Sequence, residues 1–368
     1  MDLEALAAAP AKPSPSPTSH TFTDILGYPD IAARFALVRK YFYLRESTYD
    51  MTRRCNLRCE GCYYYEGDKQ NKEDNVDPEA WRKLFREEKA RGITFVVLAG
   101  AEPALVPDLL EACYTEIPLG AIASNGLVHI SPEVGYRIHI SVWGNDATSE
   151  RVRRAKRMLE RQIDTYAGDP RAVFVYTFTR ENIAEAREVV EKLARRDCKV
   201  TFNMFSATVG YEGSLTHTPA SLVETREVML CLLAEYPDQV LFSPYNAAAH
   251  TDTLPLHDLY SCPYPRRNLG QFGLGRSFRQ YRSDLTWVRE AACCVPDTDC
   301  ADCRHYAAGS AIVTARMNRH ITNPEQFRAW LDYVDTYLAV WVQGYGKHPN
   351  LGTVPVSPSL ARQSEAAP

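Results

Sequence analysis

The chain has 368 residues, of which 45% are hydrophobic and 24% are charged. This length suits one large domain plus a smaller one, and a net charge of −4 argues against broad binding to nucleic-acid phosphates. No apolar stretch reaches the roughly 18 residues of a membrane span, and the N-terminus lacks the cationic start and apolar block of a secretory signal.

The first part of the chain precedes any regular alternation of elements. Residues 1–20 are rich in Ala, Pro and Ser and are expected to form a disordered tail. Residues 21–45 mix aromatic and apolar side chains and predict an N-terminal helical extension of one or two helices. We therefore expect the main domain to begin near residue 46.

Strand and helix signals then alternate from residue 46 to residue 240. Strands are predicted at 46–51, 94–99, 121–124, 137–142, 172–178 and 199–205. Helices are predicted at 78–91, 106–116, 146–166, 181–196 and 221–235, and the connection between the third and fourth strands is too short for a full helix. This order predicts an α/β fold with a parallel, right-handed barrel that is too short for eight strands.

Beyond residue 240 the pattern changes. Residues 241–321 hold Pro, Gly and aromatic residues with little periodicity, which predicts loops and a hairpin in a small cysteine-rich domain. Residues 322–343 predict a C-terminal helix that starts at Asn323-Pro324, and residues 344–368 predict a loose tail.

Three closely spaced cysteines follow the first predicted strand. Cys55, Cys59 and Cys62 form a C-x3-C-x2-C run, and thiolates are the ligands that select iron–sulfur clusters. A cubane has four irons, so three thiolates would leave one iron open to another ligand. A zinc knuckle is the alternative, although zinc sites usually show four ligands in paired C-x2-C form.

This run resembles the cluster-binding run of the radical S-adenosylmethionine (radical SAM) superfamily. The resemblance implies a partial (β/α)6 TIM-like barrel and a [4Fe–4S] cluster held by Cys55, Cys59 and Cys62, whose open iron SAM chelates. It also implies reduction by an external flavodoxin or ferredoxin type donor, and cleavage of SAM to a 5′-deoxyadenosyl radical that abstracts a substrate hydrogen. The family usually has an aromatic residue before the third cysteine, where this chain has Gly61.

Further likenesses to the family follow at successive strand ends, where barrels carry their chemistry. Gly100-Ala101-Glu102-Pro103 resembles the Gly-Gly-Glu-Pro turn that contacts the methionine amino group of SAM, and Ser124-Asn125-Gly126 resembles a second family turn. The resemblance implies cofactor-binding roles for Gly100, Ala101, Glu102, Pro103, Asn125, Ser141, Arg180 and Met204. The alternatives are an ordinary turn, a structural serine, a helix-start charge at Arg180 and a core position at Met204.

A second cysteine group lies in the small domain. Cys262, Cys294, Cys300 and Cys303 supply four thiolates for a second [4Fe–4S] cluster, with zinc as the rival occupant. The spacing resembles the auxiliary-cluster extensions of twitch or SPASM type. Whether Cys293 or Cys294 is the ligand stays open.

The remaining arginines and the overall cysteine pattern have simpler interpretations. Arginines between residues 266 and 289, Arg279 among them, suit an anionic substrate or a solvated surface. Most of the basic residues in 146–166 are expected on a solvated outer face. The chain has 11 cysteines, an odd number, and they are clustered at short spacings. This pattern favours thiolate metal sites in a reducing cytoplasm over a disulfide framework.

These patterns predict a cytoplasmic radical SAM enzyme with an auxiliary cluster, which suits a net oxidation such as dehydrogenation or decarboxylation. A small-molecule substrate is expected, because peptide-modifying relatives often carry an N-terminal recognition module and about 50 residues precede Cys55. The alternatives are modification of a ribosomally made peptide and a non-enzymatic iron–sulfur or zinc protein. No residue is assigned as the catalytic acid, base or hydrogen donor.

Overall fold

The computed structural model describes residues 20–39, 46–66, 73–208, 210–251, 279–287, 304 and 323–342. The second cysteine group and the 344–368 tail lie outside these residues, as does the 1–20 tail apart from His20.

Within these residues, seven parallel strands form one sheet in the order β6-β5-β4-β3-β2-β1-β7. The strands are β1 Glu46–Asp50, β2 Phe95–Ala99, β3 Gly120–Ser124, β4 Arg137–Val142, β5 Ala172–Phe178, β6 Val200–Met204 and β7 Gln280–Tyr281. The first six follow chain order, which confirms the predicted α/β fold with a partial barrel. β7 adds a parallel strand beside β1 and leads into the expected hairpin turn, where Tyr281 pairs antiparallel with Trp287.

Helices connect the strands and extend both ends of the fold. They are α1 Phe22–Leu26, α2 Pro29–Arg39, α3 Tyr63–Glu66, α4 Pro78–Ala90, α5 Pro107–Glu116, α6 Asp146–Arg153, α7 Met158–Tyr166, α8 Ala186–Ala194, α9 Pro219–Glu235, α10 Pro244–Thr251 and α11 Pro324–Trp341. None of the helices in the described part of the chain is long and apolar enough to cross a membrane.

Two helix predictions were wrong in detail. The single helix expected over 146–166 is two helices, because Arg154 and Arg157 adopt left-handed φ values of 57° and 49°. The carboxylate of Asp146, the first residue of α6, accepts a hydrogen bond from the backbone N–H of Leu159 at 2.8 Å. This bond caps the start of α7. Helix α10 lies where loops were expected, and Ser243 caps it by accepting the N–H of Asn246 at 3.2 Å.

The two faces of the sheet differ in chemistry. Alternate residues along the strands form an apolar face. Tyr49 lies on this face, and the centroid of its ring is 4.9 Å from that of Phe85 in α4. The intervening residues form a polar face, on which Thr48 pairs in register with Gln280. This polar face includes Asp50, Arg137, His139, Ser141, Thr177 and Asn203.

The end of α11 covers the lower part of the polar face. Nε2 of His139 contacts the carbonyl of Val340 at 2.9 Å, and Arg137 donates to the carbonyl of Ala339 at 3.2 Å. The rings of His139 and Trp341 meet edge to face at 4.4 Å between centroids. The polar face is therefore closed at the end where the strands begin.

Candidate functional site

The cysteine loop begins directly after β1, at the carboxyl edge of the sheet. Cys55, Cys59 and Cys62 are all partly exposed free thiols. Sγ of Cys55 accepts the backbone N–H of Leu57 at 3.3 Å. Arg58 folds the loop by donating to the carbonyls of Cys55 at 3.2 Å and Leu57 at 2.7 Å.

The packing around Gly61 explains why this chain has glycine, and not an aromatic residue, before its third cysteine. Its φ is +65°, and a Cβ placed there would lie 2.9 Å from the ring of Phe205. Phe205 follows β6, is buried, and meets the rings of Trp143 and Tyr211 at 5.8 and 5.4 Å. Aromatic side chains from other elements therefore fill the space beside Gly61.

The turn after β2 packs directly against the start of the cysteine loop. Gly100 has φ +110°, and a Cβ there would lie 2.8 Å from the backbone nitrogen of Met51. Ala101 donates its N–H to the carbonyl of Thr52 at 2.9 Å. Only glycine permits this close approach of the two backbones.

The carboxylate of Glu102 is buried, with 1% of the residue exposed, and joins two strand ends. It accepts the hydroxyl of Ser124 at 2.8 Å, the N–H of Asn125 at 2.7 Å and the N–H of Ala104 at 3.1 Å. Pro103, at the start of the following 3-10 turn, is buried as well. Burial raises the pKa of Glu102, although the hydrogen bonds oppose that shift.

Asn125 then connects the turn after β3 to the cysteine loop. Its Nδ2 donates to Oδ1 of Asn56 at 2.6 Å and lies 3.8 Å from Sγ of Cys55. Its Oδ1 accepts the N–H of Leu127 at 3.0 Å, which fixes the amide plane.

Helices α6 and α7 brace the end of β4. The carbonyl of Ser141 accepts a hydrogen bond from Nε2 of Gln162 at 2.8 Å and another from Nη1 of Arg153. Nε of Arg153 lies 3.5 Å from Sγ of Cys59. Most of the basic residues in 146–166 are exposed, as expected, but Arg153 is buried because it turns inward to these two acceptors.

The remaining candidates lie in different surroundings. Arg180 is exposed after β5, and its N–H donates to the carbonyl of Leu215 at 3.0 Å. Met204 is 1% exposed within the main apolar core, on the face opposite Asn203. A SAM contact stays a prediction for both, and Met204 fits the core alternative better.

The side chain of Arg279 contacts other side chains on the apolar face of the sheet. It donates to the hydroxyl of Tyr281 at 3.1 Å, lies 3.6 Å from the carboxylate of Glu88 and stacks 4.6 Å over the ring of Trp287. These contacts give it a structural role and lend no support to an anionic substrate.

Sequence reasoning assigned no site role to Asn56, Arg153 or Gln162. For Arg153 the available signal was its position twelve residues after Ser141, next to the break between α6 and α7. That position does not distinguish Arg153 from the other arginines of the segment.

The donor set of the cysteine loop fits an iron–sulfur cluster. The three thiols lie on one loop, Sγ of Cys55 lies 3.8 Å from the Asn125 amide in the turn after β3, and the sulfurs of Cys55 and Cys59 lie near N–H donors from Leu57 and Arg153. Burial raises the pKa values of the Cys55 and Cys62 thiols. Within the described residues, no three Cys, His, Asp or Glu side chains converge on a single metal ion.

Comparisons with known proteins give a family match and one similar curated protein. Residues 49–213 match the model of the Radical SAM superfamily. The chain is similar to a PqqA peptide cyclase of Rhizobium meliloti (strain 1021), at 25% identity over 250 residues that cover 61% of this chain and 62% of that protein.

Solved structures are similar at lower identity. Streptococcus suis SuiB bound to S-adenosylmethionine is 14% identical with a TM-score of 0.49, covering 72% of this chain and 65% of SuiB. The structure of anSMEcpe with bound AdoMet is 11% identical with a TM-score of 0.48, covering 78% of this chain and 96% of that one. The matches span less than two thirds of the PqqA peptide cyclase and of SuiB.

Proposed function

This chain belongs to the radical SAM superfamily of enzymes, and we propose that it abstracts a hydrogen atom from a small-molecule substrate and completes a net oxidation. One observation carries the proposal: the cysteine loop is hydrogen-bonded to the turns that follow β2 and β3. Ala101 reaches Thr52, and Asn125 reaches Asn56, at the carboxyl edge of the sheet.

The cluster and SAM supply the radical chemistry when they are bound. The chain would hold the cluster through Cys55, Cys59 and Cys62. The turn of Gly100–Pro103, Asn125 and the end of β4 at Ser141 would orient SAM, with the Glu102 carboxylate keeping those turns in place. The aromatic group around Phe205 would keep water away from the same edge.

The substrate would bind on the upper part of the polar sheet face. Asp50, Thr177 and Asn203 lie there at the carboxyl ends of their strands. The end of α11 covers Arg137 and His139, so only the last three residues of β4, roughly 10 Å along the strand, lie above His139. A space of that depth suits a small molecule.

A ribosomally made peptide is the second candidate. The similarity to a PqqA peptide cyclase favours it, because the name of that protein states a peptide substrate. A single side chain of a peptide would also fit the shallow polar region.

We further propose a second [4Fe–4S] cluster on Cys262, Cys294, Cys300 and Cys303, which would accept the electron that the substrate radical loses. The spacing of these four cysteines, which resembles the auxiliary-cluster extensions of twitch or SPASM type, supports this proposal. A flavodoxin or ferredoxin type donor and a cytoplasmic location complete the proposal.

Anaerobic reconstitution of the full chain tests the activity. Dithionite plus SAM should release 5′-deoxyadenosine, and Cys59→Ala should abolish the release while the second cluster stays visible in the spectrum. Protein that holds only tetrahedral zinc and no labile sulfide would exclude the proposal.

The substrate class can be tested with a deuterated cell extract divided into low-mass and peptide fractions. Deuterium should enter 5′-deoxyadenosine with the low-mass fraction, since abstraction transfers the substrate hydrogen. Transfer from the peptide fraction alone would select the second candidate. The Cys59→Ala variant is the control with each fraction.

A further inference from the structure

Arg153 places a buried cation against the cysteine loop. Only 5% of the residue is exposed, and its Nε lies 3.5 Å from Sγ of Cys59. The guanidinium therefore lies within hydrogen-bonding distance of one proposed cluster ligand.

The position of Arg153 is fixed from several sides. Its Nη1 bonds the carbonyl of Ser141 at the end of β4, and its guanidinium lies 5.9 Å from the centre of the Trp143 ring. The preceding residue, Val152, accepts the backbone N–H of Glu60 at 2.8 Å, which joins the end of α6 to the cysteine loop. Helix α6 ends at Arg153 itself, and the next residue, Arg154, is left-handed.

We propose that Arg153 sets the reduction potential of the cluster by donating a hydrogen bond to the Cys59 sulfur. Hydrogen bonds to cluster sulfurs and nearby positive charge stabilise the more negative, reduced state and raise the potential. The inference rests on the proposed function, because it needs a cluster on Cys55, Cys59 and Cys62. Arg153 acts through Cys59 and is a positioning residue, with no contact to substrate required.

The test is a redox titration of the anaerobically reconstituted full chain, followed by electron paramagnetic resonance. The signal that is absent from Cys59→Ala identifies the cluster in question. Arg153→Met and Arg153→Gln remove the charge, and both should shift the midpoint potential to a more negative value. Arg153→Lys keeps the charge and should give a smaller shift.

Arg151→Met is the matched control. Arg151 is exposed on the same helix and pairs with Glu181, so its loss should leave the potential unchanged. Full cluster content with a wild-type potential in both neutral Arg153 variants would overturn the inference. Loss of iron from both, while Arg151→Met loads normally, would also overturn it, because Arg153 would then only hold the loop.

The failure of the inference is distinct from that of the proposed function. Wild-type protein that binds a cluster and cleaves SAM, but shows no change of potential in the Arg153 variants, removes the inference alone. Wild-type protein that forms no cluster removes both.

Discussion

Asn125 and Asn56 are joined by a 2.6 Å hydrogen bond between two side-chain amides from loops 69 residues apart in the chain. The bond links the turn after β3 to the residue that follows Cys55. It is therefore a direct constraint on the position of the first proposed cluster ligand.

A double-mutant cycle tests this constraint. Asn56→Ala and Asn125→Ala should each lower the stability of the loop by about 1 kcal/mol, and the double variant should lose less than the sum. The measurement is the rate at which a chelator removes iron from the reconstituted protein. Strictly additive effects would show that the bond does not constrain the loop.

Gly61 is expected to tolerate no side chain while Phe205 is in place. Gly61→Ala adds a Cβ 2.9 Å from the Phe205 ring at a positive φ, so we expect reduced cluster content after reconstitution. Phe205→Leu in the same chain should restore part of it by relieving the contact. Normal loading of Gly61→Ala alone would contradict the packing described for this loop.

Stability should fall as the pH is lowered from about 6.5 towards 4. Burial lowers the pKa of His139 to about 4, so between these values the unfolded chain binds a proton that the folded chain does not. The contribution is fully present above the unfolded pKa and at most about 3 kcal/mol is lost below the folded one. His217, whose pKa burial also lowers to about 4, adds to the same trend.

The variant His139→Gln isolates the first contribution. It keeps an N–H donor for the Val340 carbonyl and removes the titration, so its unfolding midpoint should fall less between pH 7 and pH 5 than that of the wild type. An identical pH dependence in the two apoproteins would exclude His139 as the source.

Glu88 should be essential to the attachment of β7. Its buried carboxylate accepts the hydroxyls of Tyr49 at 3.1 Å and Tyr281 at 2.8 Å and pairs with Arg91 at 2.5 Å. Glu88→Ala leaves these groups without their acceptor and should lower the free energy of unfolding by about 3–5 kcal/mol. Glu87→Ala, at an exposed position on the same helix, is the control and should change it by about 0.5 kcal/mol or less.

The strands that are buried on both faces could be predicted closely from the sequence. β4 and β5 begin and end at the predicted residues, because the strict alternation of polar and apolar residues in β4 and the nearly continuous apolar run of β5 permit few alternatives. The absence of a helix between β3 and β4 also followed from the length of that connection, and the structure shows only turns there.

The rest depended on contacts between distant parts of the chain. The break at Arg154–Arg157 is stabilised by the Asp146 side chain reaching the start of α7, which helical periodicity does not show. Two-residue β7 has too short a pattern to read, and it is held by pairing with β1 and by Glu88. The burial of Arg153 likewise depends on acceptors at Ser141 and Cys59.

The contact of α11 with the polar sheet face has a consequence for how the protein is made. Arg137 and His139 emerge from the ribosome roughly two hundred residues before Ala339 and Val340, the residues whose carbonyls they contact. Domains tend to fold from the N-terminal side during synthesis, so the strands can assemble while their interior is still open at both ends. The interior therefore closes late in synthesis, because α11 can pack against the polar face only after the strands that form this face have been made.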